Sequence, residues 1–146
     1  MMDHKLRMRM LRQVALRADR FYDEAEALGK KAADGLTDER RSQITGLESI
    51  ANTALKTSDV FDFIKTRTAR HEQWRHDDWG PELLRFVTRD LKKEREQLCK
   101  GVEGLETDSA EGIEVHLMLI REFVGQLAAQ YEFTCAMGEE GGGQWR

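Results

Sequence analysis

A single proline, Pro81, interrupts a chain of 146 residues in which 34% of side chains are charged. Twelve glycines complete the list of strong breakers, and three of them form one C-terminal run, Gly141–Gly143. Strand-rich folds need a turn every few residues, so this scarcity points to long helices. The length suits one domain, and 40% hydrophobic residues suffice for one core. We therefore expect an all-α fold, a compact bundle of about five helices over residues 1–137, followed by a flexible Gly-rich tail over 138–146.

Apolar spacing outlines the helices. Leu6, Met10, Val14, Phe21, Ala25 and Leu28 share one face of a first helix, with Gly29 inside the pattern and Gly35 at its end. Thr37 is placed to cap a second helix carrying Ile44, Leu47, Ile50, Ala51, Ala54 and Leu55. Thr57 and Ser58 can cap a third, with Val60, Phe61, Ile64 and Thr68 facing inward. Residues 71–80 read as an interruption, with Pro81 at the first position of a fourth helix. That helix would bury Leu84, Val87, Leu91 and Leu98 and stop near Gly101–Gly104. Asp108 and Glu111 resemble a capping box for a last helix. There Ile113, Leu117, Ile120, Val124, Leu127 and Tyr131 form a near-heptad seam, while Val115, Met118, Leu119 and Phe123 supply a second strip. Two strips on one helix signal deep burial or a self-association interface.

No run of 18 apolar residues exists, so no membrane span is expected. The first residues lack the apolar core of a secretory signal. Cys99 and Cys135, far apart, read as reduced, partly buried thiols of a cytoplasmic protein.

Catalytic motifs are wanting. The chain contains no G-x-x-x-x-G-K-[ST], no G-x-S-x-G and no Glu three residues before a His. His71 and His76 are five apart rather than four, so on a continuous helix their rings diverge by about 140°. A loop site from His71, His76, Asp77 and Asp78 is the residual metal reading, and it ranks below a pair of surface histidines. We expect no enzyme activity, no cofactor and no metal.

The net charge of −4 conceals a polarity: residues 1–102 sum to +3 and residues 103–146 to −7. Residues 1–20 alone hold six basic side chains against two acidic ones. A second basic group, Lys65, Arg67, Arg70 and Arg75, surrounds the third helix near Trp74 and Trp79, and Arg40 and Arg41 precede it. Guanidinium groups can grip phosphates, and these six residues are the candidate nucleic-acid contacts.

The stretch Gly35–Arg75 resembles the small helical subunits of type III CRISPR effector complexes. The resemblance is carried by Ser42-Gln43-Ile44 opening an Ile/Leu/Ala helix and a break at Thr57-Ser58-Asp59. An aromatic-rich helix then runs into Lys65, Arg67, Thr68 and Arg70. It implies a non-catalytic subunit of an antiviral defense complex, with guide RNA, target RNA and other effector subunits as partners. The alternative is a self-associating helical adaptor that binds no nucleic acid.

Overall fold

The computed structural model describes residues 2–141. Helix α1 spans His4–Arg20, and the Asp3 carboxylate caps it by accepting the Leu6 N–H at 2.7 Å. Helix α2 spans Tyr22–Leu36. The expected single first helix is therefore two, because Phe21 leaves helical geometry (φ −103°, ψ 14°). The apolar phase continues across the break and conceals it. At the break the Phe21 ring packs on Phe86 and Phe123, with centroids 6.0 and 5.6 Å away.

Thr37, at φ 58°, reverses the chain, and its hydroxyl accepts from the Glu39 N–H at 3.3 Å. A 3-10 turn, Asp38–Arg40, leads into α3, Arg41–Thr53. Helix α4 spans Thr57–Arg70, starting where expected but with Lys56 at the cap and no capping side-chain bond. Two 3-10 turns, Glu72–Trp74 and His76–Asp78, form the interruption, with Asp77 and Asp78 both at positive φ. Helix α5, Trp79–Arg85, passes through a π turn, Phe86–Asp90, into α6, Leu91–Gly101. Pro81 is the third residue of α5 rather than the first; it stays in the first turn, where an amide has no intrahelical acceptor.

Helix α7, Ala110–Gly141, is capped by Ser109, whose hydroxyl accepts from the Gly112 N–H at 3.2 Å, rather than by Asp108. It packs against α1, α2, α3, α4 and α6. Leu117, Ile120, Val124, Leu127 and Tyr131 are buried, and so are Val115, Leu119 and Phe123; only Ile113 among the seam residues is exposed. Both strips thus face inward, as expected of a central helix. Polar side chains of α7 also close the ends of its neighbours. Arg121 Nε donates to the Ala51 carbonyl of α3 at 2.9 Å, and Gln126 Nε2 to the Ala18 carbonyl of α1 at 3.0 Å. These bonds satisfy terminal carbonyls that a helix cannot satisfy itself.

The described residues contain helix and no strand, and the fold is an all-α bundle. Among them, no helix is long and apolar enough to cross a membrane. Cys99 and Cys135 are buried and form no disulfide. Helix α7 runs four residues into the segment expected to be a tail, and residues 142–146 lie outside the described residues.

Candidate nucleic-acid interface

Arg67 and Arg70 lie on one side of α4, above a cleft of about 450 Å³ between α3 and α4. Asp59, Asp62, Phe63, Thr66 and His71 also line it, with Ile50 contributed by α3. Arg67 is half-buried: its guanidinium sits 4.7 Å from the Phe63 ring centroid, and Nη1 donates to Gln43 Oε1 at 3.3 Å. Cation–π contact and hydrogen bond together hold the guanidinium in place. Arg70 is exposed at the end of the helix. Lys65, also exposed, projects roughly 150° around α4 from this pair, so it does not join their surface.

Internal bonds engage the other three candidates. Arg75 Nη1 donates to the Thr68 and Ala69 carbonyls at 2.8 and 3.2 Å, closing the C-terminus of α4. The Gln73 amide, turned with its oxygen toward Arg40, accepts from Nε and Nη2 at 3.3 and 3.1 Å. Arg41 bridges Asp38 and Glu132, tying the start of α3 to α7. The neighbouring tryptophans are core residues. Trp74 and Trp79 are fully buried and stacked at 4.4 Å. Their indole N–H groups donate to Gln43 Oε1 and the Gln73 carbonyl, at 3.1 and 2.8 Å. Neither ring can stack on a base. His71, His76, Asp77 and Asp78 do not assemble; no group of three metal-ligating side chains occurs among the described residues.

An open cationic surface lies on α1, which the six candidates omit. Lys5, Arg9, Arg12, Leu16 and Arg20 fall within about 80° of arc and extend about 22 Å along the axis. All five are exposed. Arg7 pairs with Glu114 at 3.1 Å and Arg17 with Glu94 at 2.6 Å. Lys5, Arg9, Arg12 and Arg20 make no ion pair among the described residues, although Arg20 shares a shallow cleft with Glu24 and Asp90. The spacing 5, 9, 12, 16, 20 was the available signal, but the count of six basic residues did not separate the two that serve the bundle.

A third polar cluster is structural. His116, 2% exposed, has Nε2 2.8 Å from the Val87 carbonyl in the π turn and Nδ1 3.4 Å from Arg95 Nη1. Arg95 is a donor on that side, so the ring is neutral with its proton on Nε2. Arg95 also donates through Nε and Nη2 to the Thr107 carbonyl at 3.1 and 2.6 Å, which anchors the α6–α7 loop. Burial foremost, aided by the positive charges of Arg95 and Lys92 and opposed by the Val87 bond, lowers the His116 pKa below the usual imidazole value. The unfolded chain then binds a proton that the folded chain refuses. Stability is fully present above pH about 6.5. It falls as pH drops from there to the depressed folded value, below which the slope from this group vanishes. Urea midpoints measured across this range should fall with pH in the wild type and fall less in His116→Gln. Equal slopes would remove His116 as the cause.

Compared with models of known families, with curated proteins and with solved structures, the chain matches none.

Proposed function

We propose that the chain is a non-catalytic subunit of a ribonucleoprotein that holds RNA by its phosphates. Within that class we propose a small subunit of an RNA-guided CRISPR effector complex of the type III kind. Such a subunit would act in antiviral defense in the cytoplasm, against guide and target RNA and neighbouring effector subunits. The observation that carries the RNA reading is the α1 surface: four cations without ion-pair partners among the described residues, along a straight run of about 22 Å. Arg67 and Arg70 add a second contact region. The narrower class is supported by the resemblance over Gly35–Arg75. The adaptor alternative draws on the two strips of α7, which face the core except at exposed Ile113 and partly buried Met118.

Phosphate binding releases counterions, so affinity depends on salt. Four neutralised phosphates on a single strand give a slope near −3 in log affinity against log salt, or roughly a fifty-fold loss between 50 and 200 mM. The quadruple variant Lys5→Ala/Arg9→Ala/Arg12→Ala/Arg20→Ala should bind weakly and show a flatter slope, with an unchanged circular dichroism spectrum. An identical slope in both proteins would exclude the α1 surface. For the narrower class, the chain purified from its native host should carry a short RNA and large effector subunits; purification with neither would overturn that assignment.

A further inference from the structure

We infer that the seam between α1 and α6 is the track of the bound RNA strand, with Lys93 and Lys100 of α6 taking phosphates from the side opposite the α1 cations. This rests on the RNA reading above and adds a second bank of contacts, which the α1 surface alone does not contain.

The two helices run antiparallel along the seam. Arg20 of α1 and Lys93 of α6 line one cleft of about 330 Å³. Further along, Arg17 Nη1 donates to Glu94 Oε2 at 2.6 Å and to Gln97 Oε1 at 3.1 Å. At the other end, a Cβ on Gly104, just past α6, would lie 3.5 Å from Leu6 Cδ2. Helical spacing then sets one row of side chains on each bank. Arg9, Gln13, Leu16 and Arg20 fall within about 60° of arc on α1, and Lys93, Gln97 and Lys100 within about 60° on α6. Arg9, Arg20, Lys93 and Lys100 are exposed, and no ion pair engages them among the described residues.

The carboxylates nearby leave the track open. Glu94 is neutralised by Arg17, so the floor of the seam carries little charge and the exposed charge sits on the banks. Glu24 and Asp90 line the Arg20–Lys93 cleft at its outer end. They follow Arg20 and precede Lys93 in two antiparallel elements, so both lie beyond those cations and bound the track there. Glu96 is turned about 100° from Gln97, away from α1. The α1 bank extends about 16 Å from Arg9 to Arg20, and the α6 bank about 10 Å from Lys93 to Lys100. A positively charged groove of this form follows the backbone of a single strand without reading its bases.

The test is the salt dependence of binding between the full chain and single-stranded oligouridine. Six neutralised phosphates give a slope of about −4 in log affinity against log salt, and Lys93→Ala/Lys100→Ala should bring it to about −3. Both positions are exposed, so the circular dichroism spectrum should not change. Lys56→Glu, between α3 and α4, removes the same two units of charge and should leave the slope at its wild-type value. A wild-type slope in the double lysine variant, beside a flattened one in the α1 quadruple variant, would overturn the seam and leave the α1 reading standing. Equal flattening by Lys56→Glu would also overturn it, because net charge rather than position would then set the slope. Failure of oligouridine to bind at low salt would remove both the RNA reading and the seam.

Discussion

Replacing Trp79 by alanine is expected to destabilise the protein by about 3–5 kcal/mol, the range for deleting a buried aromatic side chain. The indole is completely buried and lies over Trp74 at an interplanar angle of 26°. Its N–H holds the Gln73 carbonyl, so the substitution removes both contact area and a hydrogen bond. The surroundings cannot readily close over the gap. A Cβ on the neighbouring Gly80 would already stand 2.5 Å from the Trp74 carbonyl oxygen and 2.6 Å from Thr68 Oγ1, so this corner has no slack. Trp79→Phe keeps much of the stack and leaves the Gln73 carbonyl unpaired, for an expected cost of about 1–3 kcal/mol. Against a total stability of about 5–15 kcal/mol, the alanine variant should show a large fall in its urea midpoint. Leu55→Ala, at a side chain 90% exposed, should change stability by less than about 0.5 kcal/mol. A Trp79→Ala cost below about 1 kcal/mol would contradict the packing described.

That corner shows what could be read from the chain in advance. Trp74 and Trp79 stood in a run that read as an interruption, where helical periodicity assigns no face. The left-handed residues Asp77 and Asp78 turn the chain so that the second indole meets the first. Apolar periodicity placed α3, α4, α6 and the inward faces of α7, because each face is recorded locally every three or four residues; it overran α3, which ends at Thr53 and leaves Leu55 exposed. It failed at Phe21, where the phase continues and contacts with Phe86 and Phe123 accompany the break. It also missed the π turn, whose Val87 carbonyl meets a histidine 29 residues away. Among the six candidate cations, helical spacing on α4 groups Arg67 with Arg70 and sets Lys65 apart. It could not foresee that Arg75 would close α4 or that Arg41 would meet Glu132, 91 residues distant. Internal partners are long-range facts; a helix face is a local one.

The α2–α7 packing yields the second large effect, at a glycine inside a helix. Gly29 is buried, and a Cβ there would lie 2.6 Å from both the Leu127 carbonyl oxygen and Gln130 Cβ. The first obstacle is the backbone of α7, which cannot rotate aside as a side-chain tip can. Gly29→Val must therefore push α2 away from the central helix, and a cost of about 3 kcal/mol or more is expected. Gly29→Ala should also destabilise, although alanine alone favours a helix over glycine by about 0.8–1 kcal/mol. Gly125 supplies the contrast on the same central helix: it is exposed, and a Cβ there meets nothing within 4 Å. Gly125→Ala should then stabilise by about 0.5–1 kcal/mol through helix propensity alone. Opposite signs for these two glycine-to-alanine changes in urea unfolding would locate the close approach at Gly29. Stabilisation by both would mean that α2 and α7 stand further apart than described, and the placement of α1, whose C-terminus is held by Gln126 of α7, would have to be revised with them.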